Sequence, residues 1–562
     1  MTSREKSDPG EWRLGIELSE HHQPELASSV AEPDRDASLE RLRRPLHVVT
    51  VEHFGWFVIG LWTVATRLVE LGARPLEASE ARHALYGFAL AAAAPNASAG
   101  YHPAYGGWVH LLDAGLFAAA GSGDFAARLI FALSGLLLIA MTFEMRHYVG
   151  RAGALALGAM LAISPSVTWF SRANTTVTPA VAFTLVGLCV FMALKWQPGM
   201  RRAAGFGVVL GLMAAADPTS LITLAIFAVA LALLGLWEVA SARNVWLRMR
   251  VWWARRAVLV AVAAVIAVAV WLLSAAMLPG GMRLTGLGAS VRGLWQTAQS
   301  PAGYIAGLRL YVPPLGLYEF LIVILAAVGA IVIITGRVRS RFAIWCLLWA
   351  LLSLAFYLWT PSRRPQWLLQ MVVPMAMVGA FGVDYLHHTG AWRAVRYPLL
   401  ALAILTVYVQ VLANFVHYAP AAGQAPWARQ LSLYANAATT LDTPTQCAAA
   451  ARGITPADAT VFFAAETAAP LRWYLRRLRP VAKPGDATMI VDGEQRIADS
   501  GAGTQFEFDY EEGWSPALAD LDLKRALSYL AAARVWSRVT SHSTTLFVRR
   551  TPVSGPTVIF AP

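Results

Sequence analysis

The stretch that decides the fold is "RLVELGARPLEASEARHALYGF", residues 67–88, which directly follows a strongly apolar run. It places three Glu, three Arg and one His between Arg67 and His83. Ionisable groups at membrane depth are costly, so they are functional candidates by default. Glu77 and Glu80 are three residues apart and would share one face of a helix, with His83 one turn further on. The charged segment therefore predicts a site at the outer edge of a membrane.

The composition places the whole chain in the membrane class. Of its 562 residues 57% are hydrophobic and only 14% are charged, and the mean hydropathy is +0.50. Soluble domains carry about a quarter charged residues. The net charge of +12 does not indicate nucleic-acid binding, because the basic residues cluster in short loops between apolar runs, as the positive-inside rule predicts. The three cysteines are scattered and predict neither a disulfide framework nor a metal site.

Apolar runs long enough to span a bilayer recur from residue 53 onward. They predict an α-helical multi-pass membrane protein with eleven transmembrane helices, at residues 53–70, 125–145, 153–170, 176–195, 203–216, 220–237, 257–278, 315–335, 342–360, 367–386 and 397–417. Two shorter apolar segments, residues 80–94 and 106–121, are predicted to be helices in the outer interface. Counting both as spans would leave the later basic loops on the same side, so charge alone does not exclude that alternative.

The basic loops fall on one side if the N-terminus is cytoplasmic, and eleven crossings then place the C-terminus outside. Residues 1–52 are predicted to be a cytoplasmic, largely disordered tail and residues 53–417 the transmembrane domain. Residues 418–562 are predicted to be a small extracytoplasmic α/β domain. Its helix-like stretches are residues 426–441 and 518–536, and its strand-like stretches are residues 459–465, 487–493 and 544–550. The expected location is the plasma (cytoplasmic) membrane.

The other outer ionisable candidates lie near predicted span ends: Arg172, Asp217, Glu319, Arg363 and Arg364. A carboxylate in a partly dry cleft has a raised proton affinity and can act as a general base, which suits Glu77 and Glu80. Guanidinium groups bind phosphate bidentately, and outer arginines run against the positive-inside trend. The alternatives stay open: the glutamates can solvate a helix end, and the arginines can snorkel to lipid headgroups.

Several stretches resemble a known family in order and in sidedness. The opening segment looks like the first outer loop of GT-C superfamily membrane glycosyltransferases, of the protein mannosyltransferase and aminoarabinose transferase type. "SPSVTWFSR" resembles the Ser-Pro…Ser-Arg pattern that closes their third span. The branch most similar is that of glycosyltransferases associated with flippase function. Its further matching stretches are "YHPAYGGWVHLLDAGLFAAAGSGDFAARL", "YVPPLGLYEFLIVILAAVG", "RRPQWLLQMVVPMAMVGAFG" and "APLRWYLRRL".

This resemblance implies an inverting glycosyltransferase that uses a polyprenyl-phosphate-linked sugar at the outer membrane face, with an unidentified glycan, lipid or protein as acceptor. By carry-over, Glu80 is the catalytic base, with Glu77 as a flanking candidate. Arg172, Arg363 and Arg364 would stabilise the leaving lipid phosphate. The remaining predicted substrate-binding residues are His83, Asp217 and Glu319. No cofactor is predicted, and nothing in the sequence supports a divalent metal.

Two other functions remain as alternatives. Ser79 stands where relatives often have an Asp before the Glu, and no acid follows Arg172 where relatives often have one. This thinning of acids allows a non-catalytic accessory protein of lipid-linked glycan export. A secondary transporter is the second alternative, disfavoured because the chain lacks paired, Gly/Pro-broken spans in two matching halves.

Overall fold

The computed structural model describes residues 50–74, 76–92, 105–241, 245–276, 301–360, 364–416, 437–439, 460–463, 469–476, 478–480, 486–487, 489–492, 503–514, 522–532 and 539–549. Contacts divide the chain into two compact units, Met1–Phe54 and Gly55–Pro562. Of the first unit only residues 50–54 are described, at the start of helix α1. The tail predicted over residues 1–52 therefore lies almost wholly outside the described residues.

Sixteen of the described helices precede the sheet in the chain. They are α1 Val51–Leu68, α2 Ala78–Ala91, α3 Gly107–Ala120, α4 Asp124–Glu144, α5 Arg146–Val149, α6 Arg151–Ile163, α7 Pro165–Ser171, α8 Val177–Trp196, α9 Met200–Ala216, α10 Thr219–Ser241, α11 Val245–Ala276, α12 Pro301–Leu317, α13 Phe320–Ile334, α14 Arg341–Trp359, α15 Leu369–His388 and α16 Trp392–Val411. A 3₁₀ turn at Pro365–Leu368 precedes α15, and a π-helical turn at Leu412–Val416 follows α16.

Each predicted span coincides with one of these helices or with a bent pair of them. Among the described residues, seven helices are long and apolar enough to cross a membrane, and up to nine if each bent pair is one span. The chain is thus a multi-pass helical membrane protein, while the count of eleven crossings stays a prediction. The two predicted interfacial segments form helices α2 and α3, of 14 residues each.

Two spans are bent, and the first bend has a local cause. Helices α6 and α7 meet at 61°, where Pro165 removes a backbone donor and the Ser164 side chain accepts from the Val167 amide as the cap of α7. Residues Leu310–Leu317 and helix α13 meet at 88°. Both bends leave polar main chain inside the bundle, which side chains must satisfy.

Helix α15 is the centre of the bundle. Within an 18-residue apolar window of Pro365–His388, 94% of the residues are buried, whereas in the corresponding window of Arg256–Ala276 on α11 only 11% are buried. Helix α13 packs closely on α15 because Gly329 has no side chain: a Cβ there would lie 2.0 Å from the carbonyl oxygen of Val378. Small residues allow such close backbone approach between membrane helices.

The C-terminal part contains a six-stranded mixed sheet of order β1-β5-β6-β4-β2-β3. Its elements are β1 Ala437–Thr439, β2 Thr460–Phe463, α17 Ala469–Tyr474, β3 Arg479–Pro480, β4 Met489–Asp492, β5 Gly503–Trp514, α18 Leu523–Ala532 and β6 Val539–Arg549. Strand β2 is parallel to β3 and β4, and the other pairs are antiparallel.

The three strand-like stretches of the sequence are confirmed as β2, β4 and β6, and residues 518–536 contain α18. The helix predicted over residues 426–441 is wrong at Ala437–Thr439, which form an edge strand on β5. Intrinsic helix propensity is a weak preference that tertiary pairing overrides. A separate extracytoplasmic domain over residues 418–562 stays a prediction.

Candidate active site

Glu80, in the first turn of α2, is the centre of a buried charge cluster and is 2% exposed. Arg128, on the first turns of α4, donates to both of its oxygens, from Nε at 3.0 Å and from Nη2 at 2.7 Å. Arg74 donates from Nη2 to both oxygens at 3.3 Å. The main-chain amides of Asn174 and Glu77 donate to it at 2.8 Å and 3.1 Å. The Glu80 carboxylate thus connects the loop before α2 and the start of α2 with helix α4 and with the segment that follows α7.

Glu77 and Glu80 are related by helix capping as well as by a shared face. Glu77 is the N-cap of α2, and the two residues form a capping box in which the Glu80 side chain accepts from the Glu77 amide. Arg74 Nη1 lies 3.8 Å from Glu77 Oε1. The Glu-x-x-Glu spacing thus has a structural cause, since a capping box satisfies otherwise orphaned amides at a helix start.

The ionisation of Glu80 follows from its neighbours. Burial alone would raise the pKa of its carboxyl, but the charges of Arg128 and Arg74 and the hydrogen bonds outweigh burial and lower that pKa to about 2. Glu80 is therefore ionised at neutral pH. A base with so low a proton affinity is a weak acceptor of protons.

Arg172 anchors the end of α1. Its Nη1 donates to the carbonyls of Thr66 at 2.9 Å and Val69 at 2.7 Å, and its Nη2 to that of Glu70 at 3.1 Å. The last carbonyls of a helix lack partners within the helix, so a guanidinium group there completes them. The phosphate-binding role predicted for Arg172 stays a prediction, and these contacts favour an anchoring role.

A second, more open group lies beside Glu80. His83 feels the charges of Arg82 and Arg364, which with burial as the largest cause lower the pKa of its imidazole to about 4. Arg364 Nη1 donates to the Tyr105 hydroxyl at 3.2 Å, and the charge of Arg82 also reaches Tyr105. Arg82 and Arg364 are both exposed residues. The charge of the predicted Arg364 thus reaches the predicted His83, whereas Arg363 lies outside the described residues.

Asp217 and Glu319 both satisfy polar groups at helix starts. Asp217 accepts from the Thr219 amide at 2.9 Å and from the Thr176 hydroxyl at 2.6 Å. Glu319, in the bend before α13, accepts from the Ser166 amide and the Ser164 hydroxyl, each at 2.8 Å. Carboxylates at helix N-termini are stabilised by the helix dipole. Their predicted substrate-binding roles stay predictions.

The facing sides of α2 and α3 carry polar groups that sequence reasoning missed. The His110 ring stacks on His83 with centroids 5.4 Å apart. His110 and Asp113 are fully buried, and within the described part of the chain their side-chain N and O atoms have no hydrogen-bond partner. Burial lowers the pKa of the His110 imidazole well below its usual value and raises the pKa of the Asp113 carboxyl well above its usual value. Asp113 could have been identified from the sequence, because it is an acidic residue within an otherwise apolar predicted helix.

Arg128, Arg74 and Asp124 were also missed as site residues. Arg128 lies in the first turns of a predicted span, where a charge is expensive and indicates a specific partner. The sequence did not predict that Glu80 is its partner, because the two residues are 48 positions apart. Across the described ranges, no group of three or more His, Cys, Asp or Glu side chains could hold a metal ion.

No family model matches the chain, and no curated protein matches it. Among solved structures, it is similar to ArnT from Cupriavidus metallidurans bound to undecaprenyl phosphate, at 15% identity and a TM-score of 0.50 over 90% of this chain and 99% of that one. The apo state of the same ArnT overlaps at 15% identity and a TM-score of 0.50, over 88% and 98% of the two chains.

The Archaeoglobus fulgidus oligosaccharyltransferase in the apo form overlaps at 14% identity and a TM-score of 0.47, over 78% of this chain and 65% of that one. Because identity to ArnT is 15%, the two ArnT structures establish the fold alone. The chain has a GT-C-like fold, as the resemblance in its sequence implied.

Proposed function

We propose that this protein is a glycosyltransferase that moves a sugar from a polyprenyl-phosphate-linked donor to an acceptor at the outer membrane face. The proposal rests mainly on how much of the chain shares the fold of ArnT. The structural similarity to ArnT bound to undecaprenyl phosphate covers 90% of this chain and 99% of that one. The charged, buried cluster at the first loop supports it, because ionisable groups at membrane depth mark functional sites.

The donor phosphate is proposed to bind between Arg82 and Arg364. Both arginines are exposed residues, and the charges of both reach His83 and Tyr105. The phenol of Tyr105 fixes Arg364 from one side, and the main-chain carbonyl of Arg364 accepts from the Tyr311 hydroxyl at 3.0 Å. Guanidinium groups suit phosphate because they donate paired hydrogen bonds to it.

The reaction is a displacement at the anomeric carbon. The acceptor oxygen forms a bond to that carbon, the bond from the carbon to the phosphate oxygen breaks, and the lipid phosphate leaves with the electron pair. Negative charge develops on the leaving phosphate, where the two arginines would stabilise it. The acceptor proton passes to a base, for which Glu80 stays our candidate, and then to the phosphate or to water.

The carbohydrate transfer is tested in proteoliposomes with a panel of labelled polyprenyl-phosphate sugars, by measuring release of the lipid phosphate. Arg82→Gln and Arg364→Gln should each raise the donor KM about tenfold, since a charge-assisted hydrogen bond is worth roughly 1.5–3 kcal/mol. Arg393→Gln, at an exposed arginine in the first turn of α16, is the matched control and should leave KM unchanged. An unchanged KM in both site variants would overturn the phosphate site.

A non-catalytic accessory role is the second candidate, favoured by the contacts of Glu80. An acceptor hydroxyl must reach a carboxylate that is 2% exposed and already bonded to Arg128, Arg74 and two amides. Such a protein would bind the lipid phosphate without turnover of any donor. Transport of a free solute into vesicles would instead favour the transporter.

Glu80→Gln and Arg128→Gln distinguish a catalytic role of Glu80 from a purely structural one. Both substitutions break the same ion pair, but only Glu80→Gln removes the candidate base. If Glu80 is the base, turnover by the folded, monodisperse protein should fall about a hundredfold further in Glu80→Gln than in Arg128→Gln. Equal losses in the two variants would mean that Glu80 acts through Arg128 and not on the acceptor proton.

A further inference from the structure

Two carboxylates act on Arg128, one through hydrogen bonds and one through its charge. Glu80 holds it in a bidentate pair, with Oε2 at 2.7 Å from Nη2. Asp124 precedes Arg128 by four residues on the same helix, α4, and acts on it electrostatically. An acid and an Arg at this spacing are neighbours on a helix surface and attract each other. Arg128 also donates from Nη1 to the carbonyl of Leu71 at 3.2 Å, so its guanidinium group holds the loop before α2 in place.

The C-terminal helix α17 occupies both oxygens of Asp124. The Trp473 indole N–H donates to Oδ1 at 2.6 Å, and the Tyr474 hydroxyl donates to Oδ2 at 2.7 Å. The Tyr474 oxygen also accepts from the Leu76 amide at 3.1 Å, in the loop that leads to Glu80. Trp473 is fully buried, and its ring lies 5.8 Å from that of Phe117 on α3.

We propose that Trp473 and Tyr474 are positioning residues of the candidate active site: by holding Asp124 they leave Arg128 to Glu80. The C-terminal part of the chain thereby sets the geometry of a site that lies in the membrane part. The effect on turnover rests on the proposed function, whereas the effect on the geometry of Glu80 does not.

The physical reason is the cost of an unpaired carboxylate. If Tyr474 loses its hydroxyl, Oδ2 of Asp124 loses its donor in a half-buried setting. A buried acceptor without a donor costs free energy, and the nearest cation along α4 is Arg128. When Arg128 turns toward Asp124, Glu80 loses part of its fork, and the Asn174 amide that donates to Oε1 loses a fixed acceptor.

Hydrogen exchange of two amides tests this in the full-length protein in nanodiscs, with no substrate. In Tyr474→Phe the Leu76 amide loses its acceptor, and the Asn174 amide is expected to exchange about tenfold faster than in wild type as Glu80 shifts. Adding Asp124→Asn removes the competing carboxylate. In that double variant the Leu76 amide should still exchange faster than in wild type, as in Tyr474→Phe alone. The Asn174 amide should return to the wild-type exchange rate.

The matched control is Tyr408→Phe, an exposed tyrosine on α16, which should change neither amide. An unchanged Asn174 rate in Tyr474→Phe overturns the proposal. So does a fast Asn174 amide in the double variant, because a role of Tyr474 in packing alone would not be rescued by Asp124→Asn.

Turnover provides the second readout. Tyr474→Phe should lower kcat with an unchanged donor KM, because Arg82 and Arg364 are not moved, and Asp124→Asn should restore kcat in the double variant. A rise in KM with an unchanged kcat would contradict the positioning role. If wild type turns over no donor, the proposed function fails, while the exchange rates still decide the inference.

Discussion

At the scale of single residues, the outer charges divide into bonded anchors and exposed groups. Glu80, Arg128 and Arg172 are buried, and they form hydrogen bonds to each other, to Arg74 and to main chain. Arg82 and Arg364 are exposed beside them. Buried ion pairs cost desolvation and are retained for geometry more often than for net stability. We therefore infer that the buried residues fix the geometry of the site, and we propose the two exposed arginines for contact with the ligand.

The low pKa of Glu80, about 2, predicts a pH dependence of stability. A depressed carboxyl pKa contributes stability that is fully present above the unfolded value and is lost as the pH falls through the folded one. From roughly pH 5 to pH 2, wild type should lose on the order of 3 kcal/mol more than Glu80→Gln. Thermal unfolding in detergent across this range measures the difference.

Glu144→Gln, an exposed carboxyl at the other end of α4, serves as the control and should follow wild type. If Glu80→Gln shows the same acid dependence as wild type, the ion pair with Arg128 does not hold Glu80 in its charged form.

At the scale of elements, the bends and the close helix contacts shape the bundle. The bend between α6 and α7 turns the amides of α7 toward Glu319, so a buried acid accepts from the start of that helix. Helix α7 then delivers Arg172 to the end of α1 and the Asn174 amide to Glu80. The broken span is thus part of how the site is assembled.

Gly329→Ala should destabilise the protein by about 1–3 kcal/mol, the usual cost of overpacking. A Cβ at this position of α13 would lie 2.0 Å from the Val378 carbonyl oxygen, so α13 and α15 would have to separate. The matched control is Gly235→Ala on α10, where a Cβ meets nothing within 4 Å. There helix propensity predicts equal or higher stability. Unfolding temperatures that rank the two variants in the opposite order would contradict this packing.

At the scale of the whole molecule, the charge distribution predicts the orientation in the membrane. The basic loops predict that the N-terminus lies inside, and eleven crossings would then put the sheet with α17 and α18 outside. The contact between Tyr474 and the loop before Glu80 is consistent with this, because it requires both to lie at the same end of the bundle.

Cysteine labelling checks the orientation in a chain whose three native cysteines are replaced by Ala. Leu523→Cys, at a position that is 77% exposed on α18, should react with an impermeant maleimide on intact cells. Arg339→Cys, in an exposed loop between α13 and α14, should react only after permeabilisation. Reversed labelling would place the candidate site on the inner face.

The sequence by itself determined the membrane class and the positions of the helices, because hydropathy and its period act locally and the bilayer sets the required length. The GT-C-like fold was implied by the resemblance of several stretches to that superfamily. It also named Glu80, His83 and Arg364 as candidate site residues, and their roles stay predictions. Only the tertiary structure decided their partners: Arg128 meets Glu80 across 48 residues, and Tyr474 meets Leu76 across 398. Pairings between distant segments depend on how helices pack, and packing has no periodic signal in the sequence.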